Sequence, residues 1–141
     1  MKTLLLLEDE PSVMKLLHLM LKEYIVIEAT KPEEALLLSS DLNHQIDLLV
    51  ADLTLAGMSG IQVALHLRST LPALPVILTS GFPVCSWSAR DSADLETLGA
   101  SGVVVLQKPF QKQIRLNAVH GLFGTAQPEK VRTAGTSPDL Y

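Results

Sequence analysis

Five short apolar runs separated by segments with helical periodicity constrain the fold of this chain more than any other feature. The runs are residues 4–7, 25–29, 46–51, 76–78 and 103–106. Each run has the length and composition of a buried strand. Strands that alternate with helices are typical of the α/β class, in which a parallel sheet carries helices on both faces. We therefore predict a doubly wound, five-stranded parallel sheet with the strand order 2-1-3-4-5.

The segments between the runs predict the helices. Residues 12–23 repeat apolar side chains at helical spacing, and Pro11 suits the first turn of such a helix. The sequence of residues 30–33, Thr-Lys-Pro-Glu, predicts a capping box that opens a second helix through Ser40. We predict further helices over residues 61–71, 92–98 and 111–123, with residues 81–91 forming a loop.

A change in composition near Gly124 predicts where the folded domain ends. The chain has 141 residues, which is enough for one domain of ordinary size. Residues 125–141 contain two prolines, a glycine and several Ser and Thr residues, and they offer little to bury. We therefore predict a domain over residues 1–123 and a flexible C-terminal tail over residues 124–141.

Charge and apolar content exclude several functional classes. Fifteen acidic residues outnumber eleven basic ones, whereas nucleic-acid and anionic-membrane binders carry basic patches. The single cysteine cannot form an internal disulfide, and no apolar run approaches the roughly 18 residues that span a bilayer. We expect a cytoplasmic protein with no direct nucleic-acid contact and no membrane insertion.

Polar residues follow four of the five predicted strands. They are Glu8 and Asp9 after the first, Asp52 after the third, Ser80 after the fourth and Lys108 after the fifth. In the order 2-1-3-4-5 these four strands are adjacent, and ligands bind outside the carboxyl ends of such strands. The sequence therefore predicts that these five side chains converge at one edge of the sheet.

This set of side chains indicates phosphoryl chemistry with a metal ion. Crowded carboxylates repel one another unless a cation joins them, and Mg²⁺ prefers such oxygen ligands. A lysine can pair with a phosphoryl group, and a serine hydroxyl can donate to one. A carboxylate nucleophile beside Mg²⁺ is what an acyl-phosphate intermediate requires.

Each of these residues also has an ordinary structural explanation. Glu8 could serve only to cap the next helix, Ser80 could belong to a turn, and Lys108 could be a surface residue. Asp52 is harder to explain in this way, because a carboxylate that ends an apolar strand is costly to bury. The structural explanation requires independent coincidences at four adjacent strand ends.

The ordered motifs resemble the receiver domain of two-component response regulators, a CheY-like, flavodoxin-like fold. The resemblance covers roughly residues 2–123. It rests on Glu8-Asp9-Glu10-Pro11, on Asp52 with the downstream Gly60, on the segment from Pro75 through Ser80-Gly81, and on Gly99-Ala-Ser-Gly with Lys108-Pro109-Phe110. Each motif alone is weak, whereas the ordered set is specific.

The resemblance implies a role for each residue. Asp52 is expected to accept a phosphoryl group from a histidine kinase or a phosphotransfer protein. Glu8, Asp9 and Asp52 are expected to hold Mg²⁺ together with the backbone carbonyl of Thr54. Lys108 is expected to contact the phosphoryl group, and Ser80 to hydrogen-bond it and couple it to the switch. Such a domain is not a classical enzyme, because it catalyses only its own phosphorylation and dephosphorylation.

The chain departs from the family pattern around its expected switch. Ala56 stands where the family usually has proline in the loop after the phosphoacceptor. The family often has an aromatic residue shortly before the lysine, but both candidate positions, Val103 and Val105, are valine. The stretch from Ser80 to Gly99 is long and carries the only tryptophan, Trp87. We hypothesise that this region is rearranged and that switching does not use the usual aromatic.

Three functions remain open on the sequence. The first is a phosphorylation-dependent signalling module that acts through protein contacts, has no attached output domain and could form a homodimer. The second is a Mg²⁺-dependent phosphatase or phosphotransferase acting on small molecules. Such an enzyme usually has an acidic residue two positions after the nucleophile, and Thr54 at that position weighs against this function. The third is a receiver-like binding module that is not phosphorylated, against which the complete set of acids, serine and lysine weighs.

Overall fold

The described structure is a parallel sheet with helices on both faces. The computed structural model describes residues 2–43, 45–108, 121 and 132–133. The strands are β1 (Thr3–Leu7), β2 (Ile25–Ala29), β3 (Leu48–Asp52), β4 (Val76–Ser80), β5 (Val103–Gln107) and β6 (Arg132–Thr133). The helices are α1 (Pro11–Met20), α2 (Pro32–Asp41), α3 (Gly60–Thr70) and α4 (Ala89–Leu98), and a short 3₁₀ turn at Val84–Ser86 precedes α4.

The strand order is β2-β1-β3-β4-β5-β6, with every neighbouring pair parallel. The predicted five-stranded order is confirmed. The two-residue strand β6 pairs with β5 at the edge of the sheet, and the sequence pattern does not predict it. The other residues of the predicted tail, 124–131 and 134–141, lie outside the described residues, as does the predicted last helix apart from Gly121. The domain boundary at residue 123 and the flexible tail therefore stay predictions.

Alternation along each strand divides the core between the two faces of the sheet. In β1, Leu5 and Leu7 face one layer and Leu4 and Leu6 face the other, and all four are buried. Helices α2, α3 and α4 cover the first face, whereas α1 covers the second among the described residues. Burial on both faces explains why the strands are continuous apolar runs instead of alternating ones.

Local chemistry moves several boundaries from their predicted positions. The predicted capping box at Thr30 is wrong, because α2 begins at Pro32 with Lys31 as its N-cap and no side-chain cap. Proline disfavours helical backbone at the residue before it, so Lys31 is extended and Thr30 lies outside the helix. Glu34 instead accepts the amide of Thr30 at 2.7 Å. Helix α1 ends at Met20, earlier than the predicted residue 23.

The third strand and the region after β4 also differ from prediction. Strand β3 begins at Leu48 instead of residue 46, and just before it the carboxylate of Asp47 accepts the amide of Thr3 at 2.8 Å. Helix α4 begins at Ala89, three residues before its predicted start, with Ser88 accepting the amide of Asp91. The predicted end at Gly99 is confirmed, with glycine at a φ of 88°. No helix within the described part of the chain is long and apolar enough to cross a membrane.

Candidate functional site

The carboxyl ends of β1, β3, β4 and β5 bring the predicted polar residues to one edge of the sheet. Glu8 continues β1, since its amide bonds to the carbonyl of Ala29 at 3.1 Å. Asp52 is the last residue of β3, and Ser80 is the last residue of β4. Lys108 directly follows β5, and its amide bonds to the carbonyl of Ser80 at 2.7 Å. The predicted convergence of strand ends is therefore observed.

Three carboxylates form one cluster at this edge. Glu8, Asp9 and Asp52 each offer a carboxylate oxygen, and the three oxygens all lie within 4.8 Å of one another. Glu8 and Asp52 are buried, whereas Asp9 is exposed. The site is therefore open to solvent on the side of Asp9 and closed beneath the other two acids.

Lys108 is the cation that joins this cluster. Its ammonium donates to Glu8 Oε1 at 3.0 Å and lies 3.4 Å from Asp52 Oδ1. The other oxygen of Glu8 accepts the amide of Glu10 at 3.2 Å, and Glu10, the N-cap of α1, makes no side-chain cap bond. The capping explanation for this acidic motif therefore does not describe how Glu8 is held.

Burial dominates the electrostatics of the two inner acids. Desolvation raises the pKa of Glu8, the charge of Asp52 raises it further, and Lys108 opposes both. Desolvation likewise raises the pKa of Asp52, while Lys108 and the amide of Thr54 lower it and the charge of Asp9 raises it. Burial alone would lower the pKa of Lys108, but its bond to Glu8 and the charge of Asp52 outweigh burial and raise it. Among the described residues, one ammonium lies beside a cluster of three carboxylates, and this negative excess favours a further cation.

Gly60 allows the chain after Asp52 to close on the site. The first turn of α3 lies so close to β3 that a Cβ at Gly60 would collide with the backbone carbonyl of Asp52. A glycine permits this approach of backbone to backbone. Ser59 and Gln62 form a capping box at the same helix start, with Ser59 Oγ accepting the amide of Gln62 at 3.3 Å. The loop that carries Thr54 is thus anchored at both ends.

A comparison with protein-family models matches residues 4–120 to the response regulator receiver domain. The chain belongs to this family. It is 36% identical over 121 residues to the two-component response regulator PhoP of Pseudomonas aeruginosa, which covers 82% of this chain and 50% of that protein. It is 32% identical over 111 residues to the response regulator GtcR of Aneurinibacillus migulanus, which covers 77% of this chain and 42% of that protein. The chain spans about half the length of these curated relatives.

Solved receiver structures share the fold of this receiver domain. The complex of CheX with CheY, BeF₃ and Mg²⁺ from Borrelia burgdorferi matches with a TM-score of 0.70 and 22% identity, over 86% of this chain and 89% of that one. At this identity the match supports the fold alone. The family resemblance and the CheY-like fold predicted from the sequence are confirmed.

Ser80 lies at its expected place at the end of β4, and its contact with a phosphoryl group stays a prediction. Its hydroxyl donates to the carbonyl of Phe82 at 2.9 Å and accepts the amide of Phe82 at 3.0 Å. It also accepts the indole N–H of Trp87 at 3.2 Å. The sequence did not predict the contact with Trp87, although the position of the only tryptophan seven residues after Ser80 was a visible signal.

The remaining predicted site residue, Thr54, lies beside Asp52. Its backbone amide interacts with the Asp52 carboxylate, and its side chain is exposed. The role of its backbone carbonyl as a metal ligand stays a prediction. Pro109 and Phe110, which completed the lysine motif, lie outside the described residues.

Proposed function

We propose that Asp52 accepts a phosphoryl group from a histidine kinase or a phosphotransfer protein in a Mg²⁺-dependent reaction, and that the domain signals through protein contacts. The observation that carries this proposal is the position of the Lys108 ammonium, 3.0 Å from Glu8 and 3.4 Å from Asp52, beside the cluster of three carboxylates. On this proposal the domain catalyses only its own phosphorylation and dephosphorylation.

The residues at the site fit a magnesium ion. Glu8, Asp9 and Asp52 would hold it, with the carbonyl of Thr54 as a further ligand. Carboxylate oxygens and water are the ligands that Mg²⁺ prefers, and the exposed position of Asp9 leaves room for water. A bound Mg²⁺ would supply positive charge to the phosphoryl oxygens.

The proposed reaction uses the chain's own groups in a simple displacement. An oxygen of the Asp52 carboxylate attacks the phosphorus of a phosphohistidine, a P–O bond forms, and the P–N bond breaks with its electron pair leaving on the imidazole nitrogen. Lys108 pairs with the phosphoryl group and offsets its negative charge. The role of Asp52 as nucleophile requires its ionised form, which Lys108 and the amide of Thr54 both favour.

The partners follow from the chemistry of the donor. A phosphoryl group on histidine is supplied by a histidine kinase or a phosphotransfer protein. The predictions of a homodimer and of the absence of an output domain stay predictions.

Intact-mass measurement after incubation with acetyl phosphate tests the proposal. We expect one phosphoryl adduct on the wild-type protein in the presence of Mg²⁺, and no adduct on Asp52→Asn. Asp9→Ala should lose the labelling together with its Mg²⁺ dependence. Labelling of Asp9→Ala that equals the wild type would refute the metal assignment.

The same experiment separates the other two functions. Catalytic turnover of a free phosphate ester would support a small-molecule phosphatase and contradict the proposal. A folded wild-type protein that gains no adduct from acetyl phosphate, phosphoramidate or a phosphohistidine donor would instead favour a binding module.

A further inference from the structure

The hydroxyl of Ser80 has no hydrogen-bonding capacity left in the described structure. A serine hydroxyl has one donor and two acceptor positions. Its donor is used by the carbonyl of Phe82, and its acceptors are used by the amide of Phe82 and the indole of Trp87. Ser80 is completely buried, so water does not compete for these positions. For this hydroxyl to donate to a phosphoryl group, its bond to the Phe82 carbonyl must break.

Trp87 is bonded to both partners in that exchange. Its indole N–H lies 3.2 Å from Ser80 Oγ and also 3.2 Å from the carbonyl oxygen of Phe82. The indole N–H is therefore shared between the Ser80 hydroxyl and the Phe82 carbonyl. The same carbonyl also accepts the hydrogen bond from the Ser80 hydroxyl. If the hydroxyl turns away, the indole can bond fully to the carbonyl. Because the indole N–H can replace the hydroxyl as donor to the Phe82 carbonyl, the carbonyl keeps a partner. The free-energy cost of turning the Ser80 hydroxyl away is therefore lower, since a polar group left without a partner is costly.

The surroundings of Trp87 connect this contact to a helix. The indole is almost fully buried and belongs to the same core layer as Val105, one of the two valines at the expected aromatic position. The backbone amide of Trp87 bonds to the carbonyl of Val84 in the 3₁₀ turn, and the next residue, Ser88, caps α4. Trp87 thus directly precedes the N-cap of α4, so a movement of its indole would reach the start of that helix.

We propose that Trp87 is the positioning residue for the Ser80 hydroxyl, and that its shared indole N–H passes from Ser80 to the Phe82 carbonyl when the hydroxyl turns to a phosphoryl group on Asp52. This inference rests on the proposed phosphorylation of Asp52. The expected aromatic residue on β5 is replaced by valine at both candidate positions. On this proposal Trp87, in the connection between β4 and α4, couples the Ser80 hydroxyl to the rest of the domain instead. The start of α4 and the preceding 3₁₀ turn are then the surface that responds to phosphorylation.

The indole resonance gives a direct test, because the chain has a single tryptophan. The ¹H–¹⁵N cross-peak of the Trp87 indole is recorded with and without beryllofluoride and Mg²⁺, and the ¹⁹F resonance of bound beryllofluoride measures occupancy independently. In the wild type we expect the indole peak to shift by more than its line width on binding. In Ser80→Ala without ligand, the peak should already lie near the ligand-bound wild-type position and should move no further.

Two further variants complete the test. Trp87→Phe keeps an aromatic side chain, although a smaller one, and removes the indole N–H. We expect beryllofluoride to bind to this variant while the amide shifts at the start of α4 disappear. Cys85→Ser changes an exposed residue of the same 3₁₀ turn and should behave as the wild type.

The outcomes separate this inference from the function on which it rests. An unmoved indole at full ligand occupancy, or an equal shift in Ser80→Ala, would refute the role of Trp87 and leave the phosphorylation of Asp52 intact. Failure of the wild type to bind beryllofluoride and to gain an acetyl-phosphate adduct would refute both.

Discussion

Asp52 combines burial, an adjacent cation and two neighbouring acids in one residue. It is 6% exposed and ends β3, where the sheet ordinarily holds apolar side chains. The Lys108 ammonium does not fully compensate for burial, since the pKa of Asp52 remains raised above its ordinary value of 3.8. The metal-free protein therefore keeps this carboxylate at the expense of its own stability.

Replacing Asp52 with asparagine should stabilise the metal-free protein at neutral pH. The folded protein holds the Asp52 proton more tightly than the unfolded chain does. The protonated carboxyl therefore adds to the free energy of unfolding below pH 3.8, and this contribution is lost as the pH rises through the pKa of the folded state. Asn carries no such loss, so we expect Asp52→Asn to be more stable than the wild type at pH 7.

Urea unfolding at pH 7 and near pH 4, without metal, measures this effect. The stability gain should shrink toward the acidic end, because more of the wild-type carboxyl is protonated there. Added Mg²⁺ should stabilise the wild type more than the variant, because only the wild type has the full set of carboxylates. A variant that is less stable than the wild type at pH 7 would contradict the proposed balance of charge and burial.

At the scale of single elements, close backbone approach positions the loop after Asp52. Gly60 begins α3 directly against the carbonyl of Asp52, and its amide bonds to the carbonyl of Leu53 at 3.2 Å. This packing joins the end of β3 to the start of α3. The position of Asp52 therefore depends on a residue that carries no functional group.

Gly60→Ala should destabilise the protein by about 1–3 kcal/mol, because the added methyl group forces the helix away from β3. Gly81→Ala is a matched control, since a Cβ there meets no atom within 4 Å. Thermal or urea unfolding of the two variants measures the difference. Equal stabilities would show that the contact between α3 and β3 is not close enough to exclude a side chain.

Arg68 joins α3 to the other end of the sheet. Its guanidinium donates to the carbonyls of Leu74, Leu98 and Ser101 at 2.9, 3.0 and 2.9 Å. Burial lowers the pKa of this group, and its three bonds compensate for the desolvation. One side chain thus connects α3, the end of α4 and the turn before β5.

Arg68→Lys keeps the positive charge, but an ammonium cannot donate in the three fixed directions of the guanidinium. We expect the free energy of unfolding to fall by about 2 kcal/mol, because carbonyls that Arg68 bonds lose their hydrogen-bond donor. Hydrogen exchange should show faster opening of the amides at the end of α4. A stability change within about 0.5 kcal/mol, the range typical of surface substitutions, would mean that solvent replaces these bonds.

At the scale of the whole molecule, the sequence predicts the sheet and the location of the site well. The parallel sheet follows from apolar runs such as β1 and β3, whose residues are buried on both faces and therefore read continuously. The order 2-1-3-4-5 is a common arrangement of five such strands. The acids and Lys108 are predictable because each directly follows a strand, so topology alone brings them together.

Other features depend on contacts between distant or non-periodic residues and could not be predicted. The strand β6 has two residues, too few for a periodic pattern. The start of α2 depends on the backbone restriction before Pro32, which excludes Thr30 as the cap. The bond from Trp87 to Ser80 depends on how the segment after β4 folds, which no periodic pattern in the sequence encodes.

The central claim is that Asp52 carries the phosphoryl group, and locating the adduct within the chain tests it most directly. The protein is labelled with acetyl phosphate and Mg²⁺, digested under conditions that preserve acyl phosphates, and analysed by fragment mass spectrometry. We predict the phosphoryl group on the fragment that contains Asp52, its absence in Asp52→Asn, and its retention in Asp41→Asn, which removes an exposed carboxylate at the end of α2. A phosphoryl group on another residue of the wild type, or labelling of Asp52→Asn at the wild-type level, would contradict the claim.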